Sequence, residues 1–139
     1  MTFLTRRSFI ASATAAVASP AFASSTVTLD YAPDNIKDEL ARGRTLIVAY
    51  HAYWCSVCAR QERVIRRLRD ENKAYNDLRF IRVDWDEYKY LPVVVDREIP
   101  MRSTMILLKG DEEISRLVAA TGRRNIQAFL DTGLELATS

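Results

Sequence analysis

Three features of this 139-residue sequence predict an α/β domain with a mixed central sheet flanked by helices on both faces. Apolar runs of strand length alternate with stretches of helical periodicity, an order that folds into a covered sheet. One run, Leu46-Ile47-Val48-Ala49-Tyr50, is almost continuously apolar, as a strand buried on both faces must be. The only two cysteines, Cys55 and Cys58, stand two residues apart between that run and a helical pattern.

The elements follow in order. Val27-Thr28-Leu29 is a short β-prone run. Pro33-Asp34-Asn35 opens a helix through Ile36, Leu40 and Ala41 that Gly43 ends. Thr45 to Tyr50 is the buried central strand. The helix after Cys55 places Val64, Ile65 and Leu68 toward the core, and leaves Arg60, Arg63, Arg66, Arg67 and Arg69 mostly to water. Phe80 to Asp84 is the next strand. Trp85 to Tyr90 reads as a polar and aromatic connection, and Leu91 to Asp96 as a short helix or turn despite Pro92. Met105 to Leu108 is a third core strand. The turn Lys109-Gly110-Asp111-Glu112 brings Glu113 to Val118 back as its hairpin partner. Thr121-Gly122 precedes a last helix with Ile126, Phe129, Leu130 and Leu134 on one face. The predicted order is β-α-β-α-β-α-β-β-α.

The first 23 residues read as a leader. Arg6-Arg7 precedes a small-residue apolar stretch from Ile10 to Val17, and Ala21-Phe22-Ala23 is an A-x-A cleavage site. The pattern predicts a twin-arginine-type signal peptide over 1–23 and a single domain over 24–139, exported to a bacterial periplasm. The apolar stretch is well short of the ~20 residues that span a bilayer, so no stable membrane anchor is expected after cleavage. Removing 23 of 139 residues leaves 116, and the two leader arginines reduce 20 basic residues to 18, against 18 acidic ones. A near-neutral domain lacks the charge footprint of a nucleic-acid binder.

Strand, then Cys-x-x-Cys, then helix is the layout of a dithiol redox site. Cys55 falls at a helix N-terminus, where unpaired N–H groups and the helix dipole favour a thiolate. Cys58 lies about one turn further on, close enough to displace whatever Cys55 captures. A loop this short constrains little chain entropy, which argues against a purely structural disulfide. No cofactor is needed for such chemistry. A rival reading takes Cys55, Cys58 and His51, the only histidine, as ligands for copper or zinc, although one chain lacks a complete four-ligand set.

The segment from Leu46 through Trp54-Cys55-x-x-Cys58 resembles the active-site entry of the thioredoxin-like family. Phe80 to Asp84, Ser103-Thr104 before an apolar strand and Lys109, and Gly122 through Leu130 resemble its later segments. The resemblance implies a thioredoxin fold and an exported thiol–disulfide oxidoreductase. It further implies protein disulfides or dithiols as substrates, a membrane thiol transporter as electron donor, and Trp54, Ser103 and Thr104 as residues that meet the substrate. Ser56 and Val57, both uncharged, lean toward a reductant.

Three departures stand out. Ser103 occupies the place of the family's cis-proline, and Pro100 lies three residues earlier. A non-proline cis bond costs about 2.5–4 kcal/mol, so Ser103 is expected to be trans. Ala49 stands where many members bury an aspartate beneath the second cysteine, leaving His51 as a possible substitute. Arg63 replaces a helix-kinking proline.

Overall fold

The computed structural model describes residues 28–139, so the leader predicted over 1–23 lies outside the described residues. The elements are β1 (Thr28–Asp30), α1 (Asn35–Ala41), β2 (Thr45–His51), α2 (Ser56–Glu71), a 3-10 turn (Lys73–Asp77), β3 (Arg79–Asp84), α3 (Trp85–Tyr88), α4 (Pro92–Val95), β4 (Thr104–Lys109), β5 (Glu112–Val118) and α5 (Arg123–Thr138). One five-stranded sheet runs in the order β1-β3-β2-β4-β5. β1 and β2 both lie parallel to β3, whereas β4 lies antiparallel to β2 and β5. The mixed sheet expected from the alternating pattern is therefore present.

Period-two alternation divides β2 between the two layers. Leu46, Val48 and Tyr50 join Ile81, Val83, Ile106 and Leu108 on the face covered by α1 and the α4 segment. Ile47 and Ala49 point the other way, toward Ile65 and Leu68 of α2 and toward Ile126, Phe129 and Leu130 of α5. His51 continues this second face, which places it under the helix that carries both cysteines. The Tyr50 hydroxyl donates to the Val93 carbonyl at 2.8 Å and fastens α4 to the first face of the sheet.

Two local readings change. Trp85 to Tyr88 forms a helical turn rather than an irregular connection, because the Asp84 carboxylate accepts the amides of Asp86 and Glu87 at 2.9 and 3.4 Å. Trp85 and Tyr88 pack against the core rather than standing clear of it. Arg69 does not face water fully: its guanidinium lies 4.5 Å from the Phe80 ring centroid, and its Nε and one terminal nitrogen are buried. The long aliphatic stem lets an arginine follow an apolar face in this way.

Candidate active site

Cys55 is the N-cap of α2, with extended backbone at φ −82° and ψ 110°. Its sulfur takes the part that a serine or aspartate oxygen usually plays, accepting the Cys58 amide at 3.2 Å. The helix starts here because the Cys55 carbonyl accepts the Ala59 amide at 3.1 Å, and the Cys55 amide donates back to Ala52 at 3.1 Å. Both thiols are free and buried, Cys55 at 4% exposure and Cys58 at 2%, in a small cluster with Ala52. Val57 and Trp85 pack around it.

The two thiols are driven apart in acidity. Burial pushes Cys55 up, but hydrogen bonds from the Cys58 thiol and amide and the charge of the Arg102 guanidinium outweigh it and hold the thiol below its ordinary value. Burial raises the Cys58 thiol to about 11, reinforced by its hydrogen bond to Cys55 and by the charge that Cys55 carries, while the amides of Ala52 and Ser103 act weakly the other way. One sulfur is thus prepared to attack and the other is held protonated.

Trp54 is the exposed rim residue of the site, at 60% exposure. Its Nε1 donates to the Asp86 carboxylate at 2.7 Å, and the Arg102 guanidinium stacks 4.2 Å from its ring centroid. The structure therefore fastens Arg102 beside Cys55 through Trp54 and α3. Ser103 and Thr104 lie in the same region but face inward, at 1% and 0% exposure. Every peptide bond among the described residues is trans, and Ser103 adopts a left-handed backbone with φ 62°. Its amide donates to Tyr50, its carbonyl accepts from Gln61 and Ala119, and its hydroxyl donates to the Arg102 carbonyl. Thr104 Oγ1 donates to Met101 at 2.7 Å. Neither side chain reaches the surface that Trp54 and Arg102 present.

Gln61 and Arg102 are site residues that sequence reasoning did not single out. Gln61 is 4% exposed and bridges the carbonyls of Ser103 and Ala120 at 2.9 and 3.0 Å, tying α2 to the approaches of β4 and α5. Its signal was a polar residue on a stripe otherwise formed by Cys58, Ile65 and Leu68. Arg102 had no such signal, since its position depends on the fold of the loop before β4.

Among the described residues no group of three or more His, Cys, Asp or Glu converges on a metal site. His51 Nε2 pairs instead with Glu62 at 3.3 Å, so the copper or zinc reading finds no assembled ligand set. Beneath Cys58 lies a cavity of about 300 Å³, bounded by Ala49, His51, Glu62 and Arg66 among others.

Comparison with known proteins agrees with this geometry. The thioredoxin family model matches residues 27–132. Thioredoxin H2 of Arabidopsis thaliana is 32% identical over 78 residues, covering 55% of this chain and 54% of that protein. Thioredoxin-2 of Saccharomyces cerevisiae is 32% identical over 82 residues, covering 58% of this chain and 74% of that protein. Among solved structures, Trxlp from Edwardsiella tarda is 29% identical with a TM-score of 0.66, over 75% of this chain and 98% of that one. The Malassezia sympodialis thioredoxin, 19% identical with a TM-score of 0.65 over 77% of this chain and 93% of that one, shares the fold. With paired cysteines opening α2 on this sheet and a family match across most of its length, the chain belongs to the thioredoxin family.

Proposed function

We propose that the protein is a thiol–disulfide oxidoreductase that reduces disulfides of other proteins in a bacterial periplasm. The observation that carries this reading is the placement of the two thiols: Cys55 caps α2 and accepts the Cys58 amide at 3.2 Å beside Arg102, which favours its thiolate, while Cys58 is buried behind it. As thiolate, Cys55 attacks one sulfur of a partner disulfide and releases the other as a thiolate, leaving a mixed disulfide. Cys58 then gives up its proton and attacks the Cys55 sulfur, closing the Cys55–Cys58 disulfide and freeing the partner's second thiol. Trp54 and Arg102 are the exposed platform and the charge that a partner meets first.

The reducing direction is supported by Ser56 and Val57, which add no charge between the thiols, so only Arg102 and the helix end stabilise the reduced form electrostatically. Export is supported by Arg6-Arg7 and the Ala21-Phe22-Ala23 site in the leader. An exported reductant is left oxidised after each turnover, which calls for a membrane thiol transporter as its electron donor. Reduction of insulin by the mature protein tests the activity. Cys55→Ser abolishes turnover, and Cys58→Ser accumulates a mixed disulfide with the substrate; full turnover by either variant refutes the exchange mechanism.

A further inference from the structure

Resolution of the mixed disulfide needs a proton acceptor, because only a thiolate attacks and Cys58 is buried as the protonated partner. Its own contacts supply none. The Cys58 amide is spent on Cys55, and Ala49, which faces the same cavity, has no polar group. The cavity of about 300 Å³ beside Cys58 is nevertheless bordered by polar side chains as well as apolar ones. That volume has room for several waters beside polar partners.

Besides His51, the polar side chains that line this cavity are Thr28, Gln61, Glu62, Arg66, Arg69 and Arg82. The guanidinium groups of Arg66, Arg69 and Arg82 carry donors and no acceptor, the Gln61 amide nitrogen is spent on the Ser103 and Ala120 carbonyls, and the Glu62 carboxylate is engaged with His51. Tyr50 sends its hydroxyl to Val93 in the opposite layer. His51 remains, with Glu62 of α2 at 3.3 Å from its Nε2. Burial lowers the His51 pKa, Glu62 and Asp84 raise it and Arg82 lowers it further, so the ring is neutral and able to accept at neutral pH. Tyr53 meets the ring edge-on at 5.5 Å. His51 also borders a second, outer cavity of about 210 Å³, on the side of Asp30, Asp84 and Glu87. The ring therefore stands between the space beside Cys58 and a second, charged basin in which Arg82 accompanies the three acids.

We propose that His51, held by Glu62, is the proton-relay residue for Cys58, receiving its proton through water in the cavity beneath the thiol and passing it to the outer basin. This rests on the exchange reading. The proton leaves Cys58 as its sulfur attacks Cys55. The imidazolium forms against the Glu62 carboxylate, and the electron pair of the broken disulfide departs on the partner's thiolate.

One equivalent of a chromogenic aryl disulfide separates the steps. Attack by Cys55 releases a first coloured thiolate, and attack by Cys58 on the mixed disulfide releases a second. His51→Gln is expected to slow the second release at least about tenfold at neutral pH and to leave the first within about twofold. The wild-type second phase should lose speed only as pH falls through the lowered His51 pKa, on the acid side of an ordinary imidazole, and this limb should vanish in the variant. Imidazole added to His51→Ala, small enough for the cavity, should restore the second phase. An unchanged second phase in His51→Gln, equal slowing of both phases, or no rescue by imidazole overturns the relay. A wild-type protein that releases only one equivalent overturns the exchange reading itself, and the relay with it.

Discussion

Arg102 determines the charge that Cys55 meets, and it does so from a loop rather than from the Cys-x-x-Cys segment. Its guanidinium is fixed over Trp54, and Trp54 is fixed by Asp86 of α3. Replacing it by glutamine removes a stabiliser of the thiolate while burial continues to favour the thiol, so the Cys55 pKa moves up. Less thiolate then exists at neutral pH, and alkylation of Cys55 at pH 7 slows several-fold; an unchanged rate would leave Arg102 without an electrostatic role. Such a residue is invisible in sequence because its value depends on proximity across 47 positions. Cys55 and Cys58 were legible from their spacing together with the strand before them and the helix after them, a context that puts the first thiol at a helix start. Trp54 was legible, through the resemblance, as a residue beside the dithiol, and its 60% exposure sets its ring at the surface. Ser103 and Thr104 were legible as site neighbours, but not the inward turn that the left-handed Ser103 backbone imposes on them.

At the scale of elements, strands and long helices followed from periodicity, because burial of one face writes a regular pattern. α3 did not, being a single turn whose only signal is its Asp84 cap. Two packing details carry predictions. Glu39 of α1 is 4% exposed and is met by Arg42, Arg44 and Arg79 at 2.9, 2.8 and 3.1 Å, so it ties α1 to β2 and β3. Glu39→Gln keeps the shape and removes the charge, and should cost about 1.5–3 kcal/mol in urea unfolding. Gly133 on α5 is buried where an added Cβ would lie 3.2 Å from Leu78 Cδ2 and 3.5 Å from Leu107 Cδ1. Gly133→Ala sets a helix gain of about 0.5–1 kcal/mol against a contact that the leucine tip can relieve, and should stay within about 1 kcal/mol of wild type. Gly133→Leu has no such room and should lose about 1–3 kcal/mol.

For the whole molecule, the order β1-β3-β2-β4-β5 arises from pairings distant in sequence, which local patterns do not encode; the resemblance supplied the fold, and the strand order came from the structure. The sheet puts the end of β2 under α2, and this is why His51 and Cys58 share a cavity although one belongs to a strand and the other to a helix. Location belongs to this scale as well. If residues 1–23 direct export, Arg6→Lys with Arg7→Lys should retain unprocessed protein in the cytoplasm of a bacterial host, whereas the native leader delivers protein beginning at Ser24 to the periplasmic fraction. Cell fractionation with N-terminal sequencing reads both outcomes.

The asymmetry of the dithiol is the claim on which the chemistry stands, and pH-dependent alkylation of the reduced native protein measures it directly. With brief exposure to iodoacetamide and peptide mapping by mass, Cys55 should be modified with a midpoint below the ordinary thiol range, and Cys58 should remain protected until the pH approaches about 11. Equal modification of the two sulfurs at neutral pH, or Cys58 reacting first, would contradict the account.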